Sequence, residues 1–133
     1  MLLSGCMWLV GAAALAIADV LVVGGSGRVG GSTVRWMHEL SKREGAPLRI
    51  AVGGRSKASF ASLQRRLVRA GGPQVDFLSI DVDGPKEQLV DAVERHKLVV
   101  HTAGPFQGRS DPALLSAAIG AGVPYCAIRG AGE

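Results

Sequence analysis

Five glycines crowd positions 24–31, in the order Gly24-Gly25-Ser26-Gly27-Arg28-Val29-Gly30-Gly31. Gly25, Gly27 and Gly30 keep the spacing G-x-G-x-x-G, and Gly24, Gly27 and Gly30 the looser G-x-x-G-x-x-G. Glycine at these positions lets the backbone turn more tightly than side chains allow and approach an anion closely. Four apolar residues, Val20 to Val23, precede the turn. Val29, Thr33, Trp36, Met37 and Leu40 follow it near a helical period. The turn therefore opens a helix, whose free N–H groups face negative charge. The chemistry this order can do is to hold a dinucleotide pyrophosphate, through Gly24, Gly25, Ser26, Gly27, Arg28, Val29 and Gly30. Arg28 can approach a phosphate or point to solvent.

The next informative stretch is Val52-Gly53-Gly54-Arg55-Ser56-Lys57. A unit that holds an unphosphorylated ribose carries Asp or Glu at the end of its second strand. This chain has no acid there. Arg55 can grip a phosphate at two points, Ser56 can donate a hydrogen bond, and Lys57 adds charge. The expected cofactor is thus NADP rather than NAD. Asp81 closes the third strand, where it can meet the adenine edge or cap a turn before Gly84-Pro85. The run His101-Thr102-Ala103-Gly104-Pro105-Phe106 ends the fourth strand. Its small residues Ala103, Gly104 and Pro105 let the chain pass close to the ribose and nicotinamide, beside the apolar wall of Phe106.

Catalytic groups are harder to find. His101 is the best titratable candidate near the cofactor, against the plainer reading of a buried structural histidine. His38 and His96 fall on expected helices and read as surface residues. Tyr125 and Cys126 read as core. The pattern Tyr-x-x-x-Lys is missing, because Tyr125 is followed by Ile128 and Arg129. Cys6 and Cys126 show no metal spacing and no disulfide framework, so no metal is expected. A reducing compartment follows, the cytoplasm or an organelle lumen.

These residues need a scaffold, and the chain alternates to supply one. Strands are expected at 20–23, 48–52, 75–80, 98–101 and 124–128. Helices are expected after the glycine turn and over 58–70, 85–96 and 111–122. Phe60, Leu63 and Leu67 share one helix face, and Leu115, Ala118 and Ile119 another. Strict alternation with short connections means an α/β fold, a doubly wound parallel sheet of five strands with helices on both faces. Right-handed crossovers give the strand order 3-2-1-4-5, with the cofactor at the switch point between strands one and four.

Length and composition fit one domain over 19–133. At 47% hydrophobic residues the chain can bury a core and is not disordered. The 15 Lys+Arg exceed the 11 Asp+Glu only modestly and are scattered, so nucleic acid is not an expected partner. Residues 1–18 form a separate apolar extension. Leu2 to Ala18 carries no charge and has the length of a signal core, with Ala16-Ile17-Ala18 resembling a cleavage site. The readings are a signal or membrane segment, an organelle-targeting remnant, and an apolar extension packed on the domain or a non-native start. The absence of Lys or Arg ahead of the run favours the last.

Several passages together resemble the NADP-binding domain of saccharopine dehydrogenase-like oxidoreductases. They are Val22 to Gly30, Val52-Gly53-Gly54-Arg55-Ser56, Asp81-Val82-Asp83, Val99 to Phe106, and Ala117 to Tyr125. The resemblance spans about residues 19 to 125. It implies a Rossmann domain that uses NAD(P) in hydride transfer with a small-molecule substrate. It also implies a second domain carrying much of the substrate site, which would lie beyond Glu133. The family's Tyr-x-Asp pattern is replaced by Tyr125-Cys126-Ala127, so the role of that Asp is not carried over. The alternative expectation is a non-catalytic NADP-binding module that reports redox state to a partner.

Overall fold

The computed structural model describes residues 18–103 and 113–127. Strand β1 (Val20–Val23) lies at the centre, paired in parallel with β2 (Ile50–Gly54) on one side and β4 (Leu98–His101) on the other. Strand β3 (Asp76–Ser79) joins β2, and β5 (Tyr125–Ala127) joins β4, also in parallel. The order is the expected β3-β2-β1-β4-β5. Helices α1 (Arg28–Arg43), α2 (Lys57–Arg69), α3 (Lys86–Glu94) and α4 (Ala113–Ala121) connect the strands.

All four residues of β1 are buried. Val20 and Val22 face Val34 of α1 and Leu63 and Leu67 of α2. Leu21 and Val23 face Leu89 and Val93 of α3 and Leu114, Ala117 and Ala118 of α4. A continuous apolar strand is what a parallel sheet with both faces covered requires. Asp19 ties the start of the sheet together. Its carboxylate accepts from the Arg49 amide at 3.1 Å and pairs with Lys97 at 3.2 Å, so β1, β2 and β4 begin in register.

The structure shifts several expected boundaries. β2 begins at Ile50 rather than 48, because the Leu48 amide donates to Ser41 Oγ instead of joining the ladder. β3 starts after Val75, whose amide goes to Gln64 Oε1. Pro85 is the N-cap of α3 rather than part of its first turn, and α3 ends at Glu94. His96, expected at the surface, is buried, with Nδ1 2.7 Å from the Ala92 carbonyl oxygen. Burial, set against that contact, holds its pKa below the ordinary histidine value.

Two helices are rotated from their expected faces. α1 turns Gly30 and Val34 inward and leaves Val29, Trp36 and Leu40 more than half exposed. Gly30 must sit against the glycine turn, and that contact sets the rotation of the helix. α4 buries Leu114, Ala117 and Ala118, while Ile119 is 72% exposed. α2 keeps the expected face, with Leu63 and Leu67 buried and Phe60 packed beside them. No helix among the described residues is long and apolar enough to cross a membrane.

Candidate functional site: a cleft at the carboxyl ends of the strands

The turn after β1 is built by close contact. Gly24 has φ of +80°, a conformation that disfavours any side chain. A Cβ there would lie 2.5 Å from the Ala103 nitrogen, so the chain leaving β4 packs directly on the turn. Gly30 closes it from the helix side. A Cβ at Gly30 would strike the Gly24 carbonyl oxygen and come within 2.5 Å of Gly25 Cα. Thr102 locks the two strands by donating both its amide and its hydroxyl to the Val23 carbonyl, at 2.8 and 2.9 Å.

Gly27 differs from its neighbours. A Cβ there would meet only the Gly24 oxygen, at 3.3 Å, a tight contact but a milder one than at Gly24 or Gly30. It is the N-cap of α1, supplies no side-chain cap, and is followed by a first turn with no acidic residue. The positive end of the helix is thus open to an anion. This is a cradle that a side chain would obstruct, and it fits a dinucleotide pyrophosphate.

A cleft of about 560 Å³ runs past this turn. Its floor is Val23, Gly24, Ser26 and Gly27. The β2 side contributes Gly54, Arg55, Ser56 and Ser59. Ile80, Val82 and Asp83 close the β3 side, and His101, Thr102 and Ala103 the β4 side, with Ala113 and Leu114 above. Arg55 is exposed on the wall. Ser56 is the N-cap of α2, its Oγ accepting from the Ser59 amide at 3.1 Å. The hydroxyl proton of Ser56 remains available to donate.

The structure therefore brings Gly24, Ser26, Gly27, Arg55, Ser56 and Ala103 to one cleft. Gly25 and Gly30 lie buried beneath it as support. Arg28 and Val29 are exposed and do not line it, and neither does Asp81. Asp81 caps a turn instead: its Oδ1 accepts the Asp83 amide at 3.0 Å, and its carbonyl accepts the Gly84 amide at 2.9 Å. Gly104 and Pro105, like Phe106, lie outside the described residues. Ser59, Val82, Asp83, Thr102 and Leu114 join the lining without having been expected as site residues. Ser59 had a signal, since it stands three residues after the serine that caps α2.

His101 is buried and also faces the cleft. Its Nδ1 lies 2.7 Å from the Tyr125 hydroxyl, and the two rings meet edge to face. Burial, with a smaller effect from Cys126, pushes the Tyr125 phenol above its ordinary pKa, so it stays protonated. Among the described residues no three His, Cys, Asp or Glu side chains are grouped to hold a metal ion.

Fold and cleft together define a Rossmann-type dinucleotide-binding domain, with the candidate cleft at the β1–β4 switch point. The saccharopine dehydrogenase NADP binding domain matches residues 20–129. The chain belongs to that family, and NADP is its cofactor. No curated protein matches the chain. Similar folds occur in solved structures. An isoflavone reductase is 21% identical with a TM-score of 0.53, over 80% of this chain and 34% of that one. AtPrR2, solved with NADP+ and (+)pinoresinol, is 22% identical with a TM-score of 0.53, over 82% and 35%. Pen from Bacillus thuringiensis is 21% identical with a TM-score of 0.57, over 82% and 36%. The chain spans about a third of the length of these structures.

Proposed function

We propose that this chain is the cofactor-holding part of an NADP-dependent oxidoreductase that passes a hydride to or from a small-molecule substrate. The observation that carries the reading is the cleft itself. It joins a close-packed glycine turn at a helix start to an Arg55–Ser56 wall with no carboxylate at the end of β2.

Each part of the cleft has a distinct task. The open start of α1 at Gly27 receives the pyrophosphate, with no side chain in the way. The Arg55 guanidinium and the Ser56 hydroxyl hold the ribose 2′-phosphate, and the absence of an acid there removes the repulsion that would exclude it. Val82 and Ile80 offer an apolar side to the adenine. His101, Thr102 and Ala103 border the nicotinamide end, where Thr102 is pinned to β1 and His101 to Tyr125, so this wall is rigid. The nicotinamide, when bound, supplies the hydride chemistry.

Amide-shift mapping with NADP tests the site. The expected perturbations fall on 24–27, 54–59, 82–83 and 101–103. Perturbations confined to the outer faces of α3 and α4 would overturn it. For the reaction, deuteride from C4-labelled NADPH should appear in the product formed by the whole protein. Product formed without label from the cofactor would exclude hydride transfer.

A further inference from the structure

A second groove, of about 410 Å³, lies on the α2 side of the glycine turn. It is lined by Ser26 of the turn and by Ser59, Ser62, Arg65, Arg66 and Arg69 of α2. Positions 59, 62, 66 and 69 recur at three and four residues and share one helix face. Leu63 and Leu67 on the adjoining face are buried in the core, which fixes the direction of this one. Ser26 and Ser59 line both the groove and the cofactor cleft, so the two meet along that edge.

The charge here is one-sided. From residue 55 to residue 75 the chain has Arg55, Lys57, Arg65, Arg66 and Arg69 and no Asp or Glu. Among the described residues, the ion pairs are Arg49–Asp76, Arg95–Asp91 and Lys97–Asp19, and none uses these five cations. Arg65 Nη2 donates to Ser62 Oγ at 3.2 Å. Arg66 Nη2 reaches the Ser26 carbonyl oxygen at 3.5 Å, the outer edge of a hydrogen bond. The same nitrogen is 4.0 Å from where a Cβ on Gly31 would stand, beside the first turn of α1. A helix start carries positive partial charge, and a guanidinium parked there is unfavourable unless an anion joins it. Guanidinium groups match phosphate oxygens at two points, and serine hydroxyls can donate to the rest.

We infer that this groove binds a phosphomonoester dianion, through Arg65, Arg66 and Arg69 with the hydroxyls of Ser59 and Ser62. The phosphate has two possible sources. It is the 2′-phosphate of NADP, held between Arg55–Ser56 on the cleft side and the groove arginines across the shared Ser26–Ser59 edge, or it belongs to a separate small phosphorylated compound. Only the first source rests on the cofactor reading above.

Calorimetric titration of the chain at low salt with NADP, NAD and inorganic phosphate tests the inference. The proteins are the parent, Arg66→Ala, Arg69→Ala and Arg66→Lys. Each alanine variant should weaken the phosphate-bearing probe by roughly 10- to 100-fold, the scale of a charged hydrogen bond. Arg66→Lys should recover part of the loss, and NAD affinity should hold within about twofold, because NAD carries no phosphomonoester. If the cofactor is the source, inorganic phosphate competes with NADP and NADP affinity carries the loss. If the source is separate, phosphate binds the NADP-saturated chain, and the variants lose phosphate without losing NADP. A parent that binds phosphate but neither dinucleotide overturns the cofactor reading and leaves the groove standing. The groove is overturned if phosphate neither binds nor competes and NADP affinity is the same in all four proteins. It is also overturned if Arg66→Ala weakens NAD and NADP equally, since Arg66 would then only brace the glycine turn.

Discussion

Adding a single methyl group at Gly30 and at Gly120 should have opposite effects. Both glycines are helical, in α1 and α4. At Gly120 a Cβ would meet nothing within 4 Å, so Gly120→Ala gains helix propensity alone. That gain is about 0.5–1 kcal/mol. At Gly30 the Cβ would run into the Gly24 carbonyl oxygen, Gly25 Cα at 2.5 Å and Thr102 Oγ1 at 2.7 Å. Two of these are backbone atoms, so α1 must move away from β1. Overpacking of this kind costs about 3 kcal/mol at its upper end, and subtracting the propensity gain leaves a net loss of about 2 kcal/mol. For a chain of this size, each kcal/mol moves Tm by about 3–5 °C. Gly30→Ala should therefore lower Tm by about 6–10 °C, and Gly120→Ala should raise it by about 2–5 °C. Because α1 starts at the cradle, Gly30→Ala should also weaken NADP by more than about tenfold, or roughly 1.4 kcal/mol, while Gly120→Ala leaves it unchanged. Calorimetric melting and NADP titration read both effects. A Gly30→Ala chain that melts with the parent and binds NADP equally would refute the reasoning about the turn.

Asp19→Ala should destabilise the chain by about 1–2 kcal/mol in urea unfolding, because it removes a charged acceptor from the Arg49 amide and a partner from Lys97. The Arg49 amide first, then Lys97, hold the Asp19 carboxyl below its ordinary pKa. Its contribution is thus present above the unfolded value of 3.8 and lost as pH falls through the folded one, so parent and variant should converge in acid. His96 acts in the same direction by another route. Its folded pKa lies below the unfolded 6.5, so the unfolded chain takes up the proton first and stability falls as pH drops below that value. The slope from this one group is at most about 1.4 kcal/mol per pH unit, and His96→Gln should abolish it in urea midpoints measured across the range. Ser56→Ala should cost about 1 kcal/mol through loss of the α2 cap, read by thermal melting.

What the sequence made legible, and what it did not, follows from the range of the forces involved. β1 and β4 were readable to the residue because each is a short apolar run bounded by sharp signals. The strand order followed from alternation and handedness. Helix rotation was not readable, since the expected stripe Val29, Thr33, Trp36, Met37 and Leu40 is as regular as the observed Gly30, Val34 and Met37, with Met37 common to both. Only the tertiary contact of Gly30 with the turn chooses between them. Asp81 stood at the right place in sequence for the cleft, but a local bond to the Asp83 amide turned it into a turn cap. Val82 and Asp83 then took the wall. Thr102 escaped notice because a hydroxyl beside a motif carries no charge or period of its own, and Ser59 because its one signal, the place three residues after the capping Ser56, speaks of a helix start and not of a cleft. His96 was misjudged because a position just past a helix end gives no hint of burial, which here comes from neighbouring elements.

The defining property of the cleft is its preference for NADP over NAD. Calorimetric titration of the parent and of Arg55→Ala with NADP and NAD measures that preference. The parent should bind NADP at least about tenfold more tightly than NAD, and Arg55→Ala should erase most of the difference by weakening NADP alone, as the loss of a charge-assisted phosphate contact demands. A parent that binds NAD as tightly as NADP, or an Arg55→Ala chain that keeps the parent's NADP affinity, would contradict it.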